Sequence, residues 1–397
     1  MTPPTTPSLF PALAAAPWWT PFLARREASA ASVDLPVALA AAGHPDPAAA
    51  VAYTVMAHPT VLSPYAVGAV PSGLTALARA ELWRLAETLR RVMEPSGAMG
   101  RNAAGVTLTD LASSPLEPVA QARVARLAQA LLGADADALL DVYLGLLREV
   151  GNGPASLHPA LTWRDGNLEP LNYPDAPAWA ELAGLDGPLT RLAANTEALL
   201  AGRPANDCLL YGARGSGKST AVRGLVHRYA EGGLRLVEVA PATLEGLPRL
   251  LELLRPQPLK FVLFVDDLAF EGEDDAYRPL KSLLDGGLRR RPANTLVYAT
   301  SNRRHLVRER LRDRPDPLDD DVHAWDTTQE RLALADRFGL VITFPGADQR
   351  RYLELVRALA AARGLAVDAD LVERALRFAD WNNGLSGRTA RQFVDSQ

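Results

Sequence analysis

The stretch Gly212-Ala213-Arg214-Gly215-Ser216-Gly217-Lys218-Ser219 reads G-x-x-x-x-G-K-S, and it commits the surrounding chain to a strand, a loop and a helix. An apolar run, Leu209–Tyr211, precedes it, and an amphipathic pattern with Val222, Leu225, Val226 and Tyr229 follows. Glycines at these positions let backbone N–H groups turn toward an anion, and the helix behind them adds its positive end. Lys218 is placed to reach β- and γ-phosphate oxygens as a point charge, and Ser219 to hold Mg2+. The bland alternative is a glycine-rich turn between strand and helix. Composition sharpens the lysine. Of 42 cationic residues only Lys218, Lys260 and Lys281 are lysines, which leaves 39 arginines. Coding bias accounts for most of that skew, yet a lysine kept in such a chain marks a place where guanidinium does not fit.

From Asp207 onward, apolar runs alternate with helical patterns. Leu209–Tyr211, Leu234–Val239, Phe261–Val265, Thr295–Ala299 and Leu340–Phe344 read as buried parallel strands of a doubly wound α/β domain. The third run delivers Asp266 and Asp267 at its carboxyl end, beside the phosphate loop. Asp266 is expected to bind Mg2+, and Asp267 to polarise an attacking water, with Glu271 as a second candidate for that task. The fourth run ends in Thr300-Ser301-Asn302, which would set Asn302 near the γ-phosphate unless the triplet is a simple turn. Arg337, in Asp336-Arg337-Phe338-Gly339-Leu340, could project into a neighbouring subunit's nucleotide or merely pair with Asp336. Arg388, in Ser386-Gly387-Arg388, could reach the phosphates of its own subunit.

A length of 397 residues predicts two to four structural units. Proline-rich residues 1–32 read as a flexible tail and a poor secretory signal. Residues 33–150 read as an all-helical domain, 151–178 as a connector, 179–345 as the nucleotide-binding core and 346–397 as a short helical lid. No stretch approaches a membrane span. Cys208 is the one cysteine, so a reducing, cytoplasmic setting is expected. The six histidines lack metal-ligand spacing. A net charge of −4 argues against a generally basic nucleic-acid binder, and residues 207–397 hold 29 basic against 28 acidic residues. The charge-dense stretch Arg303–Asp321 reads as a solvated loop or helix, with a partner-binding insertion as the alternative.

These pieces, in this order, resemble the AAA+ ATPases. More closely, the chain resembles the bacterial domain-of-unknown-function 815 family, through Asn195-Thr196-Glu197, Pro204-Ala205-Asn206, Asp266-Asp267-Leu268, Tyr277 with Leu280-Lys281-Ser282, Ala299 to Leu306 and Asp336 to Leu340. The resemblance covers about Leu161 to Gln397. It implies an α/β AAA+ P-loop core with a parallel five-stranded sheet, a short C-terminal helical lid, ATP with Mg2+ at subunit interfaces, and a homo-oligomer such as a hexameric ring. By position it makes Gly212 through Ser219 and Thr220 the Walker A loop, Asp266 and Asp267 Walker B, Asn302 the first sensor, Arg337 the arginine finger and Arg388 the second sensor. Leu182-Ala183-Gly184 resembles the segment lining the adenine pocket. The implied activity is ATP hydrolysis that remodels a protein or nucleoprotein target. An ATP-dependent switch or loader with slow, partner-triggered hydrolysis is the alternative, because Asp267 stands where most such proteins carry glutamate. A DNA-associated ATPase is a further reading, without support from charge.

Overall fold

The computed structural model describes residues 10–16, 19, 46–93, 118–171, 179, 182–268, 278–284, 291–302, 337–382 and 384–397. Glu271, Tyr277, Arg303–Asp321 and Asp336 lie outside the described residues, as does most of the expected tail. The described residues fall into two compact units. One is Met1–Leu161 with Glu169–Tyr173 and Pro256–Leu259; the other is Thr162–Leu168, Pro174–Arg255 and Lys260–Gln397.

The first unit is built on helices α1 (Pro11–Ala15), α2 (Pro47–Ala57), α3 (Ser72–Met93), α4 (Pro118–Gly133) and α5 (Ala136–Val150). α2 is alanine-rich and buried on nearly every face, from Ala48 to Ala52 and Thr54 to Ala57. Small side chains let neighbouring helices close on it, and no polar face is left to sort inside from outside. Asp46 starts it, accepting hydrogen bonds from the backbone N–H of Ala48 and Ala49. By contrast α3 and α5 are amphipathic, burying Leu82, Leu85 and Leu89 on one and Leu139, Tyr143, Leu146 and Leu147 on the other. Gly151, at φ 71°, ends α5.

The second unit centres on a parallel sheet of β3 (Cys208–Gly212), β4 (Leu234–Val239), β5 (Lys260–Val265), β6 (Thr295–Ser301) and β7 (Leu340–Phe344). These are the five expected strands. Among the described residues the sheet nevertheless has seven strands, with β1 at Ala160–Arg164 and β2 at Asn167–Pro170, in the order β2-β1-β4-β5-β6-β3-β7. The extra two arise within the stretch expected to be a connector. Asp165 and Gly166 take φ of 50° and 76°, the mirror-image turn that an Asp-Gly pair favours in a two-residue hairpin.

Strand order decides where the chemistry goes. β3, which feeds the glycine loop, lies between β6 and β7, and β5 lies on the other side of β6. The carboxyl ends of β3, β5 and β6 therefore open on one edge. At Gly212, a Cβ would fall 2.1 Å from the Phe344 carbonyl oxygen, so only glycine lets β3 turn there. Helix α6 (Asp186–Leu200) braces the sheet from below: Asn195 Nδ2 donates to the hydroxyl of buried Tyr298 on β6 at 3.0 Å, and Thr196 Oγ1 sits 2.9 Å from the same hydroxyl. Asn195 Nδ2 also donates to the Asn206 carbonyl. After β7 come three helices, α11 (Gln349–Ala362), α12 (Ala369–Trp381) and α13 (Gly387–Asp395), with their own core of Tyr352, Leu355, Val356, Leu371, Ala375 and Phe393. The remaining short helices are α7 (Lys218–Arg223), α8 (Leu225–Tyr229), α9 (Leu247–Leu254) and α10 (Arg278–Leu284). Parallel core, glycine loop and C-terminal helices thus follow the arrangement expected for an α/β P-loop domain.

Candidate functional site

Between the glycine loop and the lid lies a cavity of about 630 Å³. Its polar lining comprises Arg214, Lys218, Ser219, Asp266, Asp267, Thr300 and Asn302, with Arg388 and Arg391 contributed by α13. Its apolar lining comprises Leu182, Leu185, Ala347, Leu355 and Leu359. A lining that combines several cations with aliphatic side chains suits a molecule that carries both phosphates and a flat apolar face.

The loop earns its shape through glycine. Gly215 and Gly217 sit at φ 71° and 97°, and Gly217 brings Leu182 and Leu185 against the loop, where a Cβ would fall 3.2 and 3.0 Å from their methyl groups. Lys218 opens α7 and is buried. Its ammonium donates to Gly212 O at 2.8 Å, Ala213 O at 2.8 Å and Asn302 Oδ1 at 2.7 Å. Burial lowers its pKa to about 8; the Asp267 and Asp266 carboxylates oppose that shift and Arg214 adds to it. The buried Ser216 hydroxyl has no protein hydrogen-bond partner, which suits a donor meant for an anion.

Asp266 is held by its neighbours. Its Oδ1 accepts from Ser219 Oγ at 2.6 Å, Thr300 Oγ1 at 2.6 Å and the Asp267 N–H at 3.1 Å. A serine hydroxyl and a carboxylate in contact are hard oxygen donors, the set that Mg2+ takes together with phosphate oxygens. The two residues fit a magnesium ion on that chemistry. No group of three or more His, Cys, Asp or Glu able to hold a metal exists among the described residues, so the ion would depend on its nucleotide. Asp267 adopts φ 52°, a strained conformation for a residue with a side chain. Its N–H also donates to Thr300 Oγ1 at 2.9 Å, and its Oδ1 accepts from Asn302 Nδ2. Asn302 thus joins the ammonium of Lys218 to the carboxylate of Asp267.

The lid reaches the loop by two routes. The Gly387 N–H donates to the Gly215 carbonyl at 3.0 Å, directly ahead of Arg388. Arg351, from the first turn of α11, is buried; its Nη1 donates to Pro345 O at 2.6 Å and its Nη2 to Ser216 O at 3.5 Å. Burial depresses its pKa against the pull of Asp348 and Glu354.

Of the residues singled out from sequence, Arg214 to Thr220, Leu182, Asp266, Asp267, Asn302 and Arg388 all line this one cavity. Gly212 and Ala213 do not line it; their carbonyls hold Lys218 instead. Gly184, at φ 71°, is also outside the lining, and its bare Cα admits the Arg351 side chain, which a Cβ would meet at 3.2 Å. Arg337 is half-buried away from the cavity. Sequence reading missed Thr300, Leu185, Arg223, Arg351 and Arg391. Thr300 carried a signal, as the first member of the polar triplet ending β6; the three arginines carried none among 39.

No curated protein matches the chain. Among solved structures, the Thermotoga maritima RuvB Holliday junction branch migration motor is 16% identical over 55% of this chain and 63% of that one, with a TM-score of 0.37. The Aeropyrum pernix ORC1 protein in complex with DNA is 14% identical over 54% and 61%, at 0.39. The FIGL-1 AAA domain in complex with ADP is 18% identical over 55% and 71%, at 0.38. The chain spans less than two thirds of the RuvB and ORC1 structures. The family model described as "Protein of unknown function (DUF815)" matches residues 156–397. With well over half of its length matched, the chain belongs to that family.

Proposed function

We propose that this chain binds ATP with Mg2+ and hydrolyses it where two copies meet, using the cycle to remodel a protein or nucleoprotein target. The observation that carries the reading is the meeting of Lys218, Ser219, Asp266, Asp267 and Asn302 in one cavity, with arginines arriving from the lid. Lys218, the loop N–H groups and Arg388 would hold the phosphates. Ser219 and Asp266 would hold Mg2+, which supplies charge neutralisation at the β- and γ-oxygens. Asp267, steered by Asn302, would accept the proton of the attacking water. Leu182, Leu185 and Leu355 would pack on the base. Arg337 lies outside its own cavity, which suits an arginine that serves a neighbouring copy. Buried Cys208 suits a reducing, cytoplasmic setting, and among the described residues no helix is long and apolar enough to cross a membrane.

The test is ATP turnover in magnesium against protein concentration. Turnover should rise steeply with concentration, and Arg337→Ala should abolish the rise without weakening ATP binding. Full turnover by a dilute, monomeric Arg337→Ala protein overturns the shared site. One observation favours the slow switch or loader: Asp267 is short, strained and already engaged by Asn302. Tight ATP binding with negligible turnover, raised by Asp267→Glu, would select that reading.

A further inference from the structure

Arg223 ends α7, five residues after Lys218, and turns back to the carboxylate on the metal side of the cavity. Its Nη2 lies 3.3 Å from Asp266 Oδ2 and 3.6 Å from Glu238 Oε1 near the end of β4. Its Cζ sits 5.9 Å from the centre of the Phe264 ring. Asp266 Oδ1, by contrast, is taken up by three neutral donors. The guanidinium is therefore the charged group on the second oxygen of the carboxylate that Mg2+ would use.

Two cations cannot share that carboxylate at no cost, since like charges a few ångströms apart oppose each other even near a protein surface. Glu238 offers the same Nη2 a second carboxylate at nearly the same distance, so a small swing about the Phe264 ring exchanges one partner for the other. We infer that Arg223 competes with the divalent cation for Asp266, that Glu238 takes up the arginine when the cation binds, and that this pair sets the metal concentration the site requires. The inference rests on the reading of Asp266 as the metal-side carboxylate. It makes Arg223 a positioning residue, acting on the metal through Asp266, and Glu238 a positioning residue acting through Arg223.

The experiment is Mn2+ binding to the full chain with ADP, followed by electron paramagnetic resonance. Arg223→Gln should bind Mn2+ roughly fivefold more tightly, the scale of a partly exposed charge pair. Arg223→Met, which keeps an unbranched stem without the charge, should do the same, and Arg223→Lys should stay near the unmodified protein. Glu238→Gln alone should weaken Mn2+ binding, yet change nothing once Arg223 is Gln, because its effect passes through the arginine. Unchanged or weaker Mn2+ binding in both Arg223→Gln and Arg223→Met overturns the proposal and makes Arg223 an orienter of Asp266. A separate loss from Glu238→Gln in the Arg223→Gln background overturns the part given to Glu238. If the unmodified chain binds ADP but no Mn2+, the metal reading of Asp266 falls, and the proposal with it.

Discussion

The two units differ in what some of their buried polar groups face: in both, many close on backbone, but the nucleotide unit's cavity is walled by a network of linked polar side chains. In the helical unit three such groups end on backbone: Thr54 Oγ1 donates to Ala50 O, Asn152 Nδ2 to Val55 O and Ser156 Oγ to Met56 O, while Tyr143 pairs with the Thr60 hydroxyl and neither lines that cavity. Each bond to backbone ties off a helix or a turn and leaves nothing to exchange. In the nucleotide unit, Lys218, Asn302 and Asp267 bond side chain to side chain, as do Ser219, Asp266 and Thr300. Those partners sit at a cavity wall, where an incoming anion or cation can replace them. A polar group closed on backbone is architecture; a polar network open to a cavity is chemistry.

Four substitutions or conditions probe that difference. The largest effect is expected from Leu147→Ala in the interior of the helical unit, where truncation should cost about 2–5 kcal/mol of stability by urea denaturation. ATP affinity of the folded fraction should not change, and a loss there would mean that the helical unit supports the site. Lys218→Ala should reverse the pattern: calorimetry should show ATP affinity down by roughly two to three orders of magnitude, with little change in denaturation midpoint. Third is pH. Lys218 in the free protein releases its proton near 8, below its ordinary 10.5, because burial disfavours the charge. Phosphate binding needs the ammonium, so ATP affinity should be level below that pH and fall by up to about tenfold per unit above it. A flat profile through pH 9.5 would show that Lys218 stays charged. The smallest effect belongs to Asp46→Ala, which removes the cap of α2 and should cost about 1 kcal/mol, leaving ATP binding alone.

The residues that legibly announced themselves did so through local pattern. G-x-x-x-x-G-K-S between an apolar run and a helix located the loop, and runs of apolar residues ending in Asp266 and Asn302 located two more walls. Parallel strands buried on both faces write themselves as continuous apolar stretches, so the five core strands were readable. The β1–β2 hairpin was not, because prolines and glycines on either side made the stretch look like a connector, although Asp165-Gly166 is a hairpin pair. Arg223 and Arg351 gave no sign. Their importance comes from what the fold brings near them, Asp266 and Glu238 for one, Pro345 and Ser216 for the other. Nor does Gly184 declare from sequence that it makes room for an arginine 167 positions later rather than facing the cavity.

Arg351 also bears on the order of events during folding. It meets the phosphate loop across 135 residues of sequence, against 47 for Ser219 with Asp266 and 84 for Lys218 with Asn302. Long loops close late, because their entropy is lost before distant contacts repay it. The pocket should therefore mature in stages, carboxylates first, then Asn302, and the contacts of Arg351 and Gly387 with the loop last. ATP added during refolding would then speed none of the early phases, and would act only by holding the finished pocket against reopening.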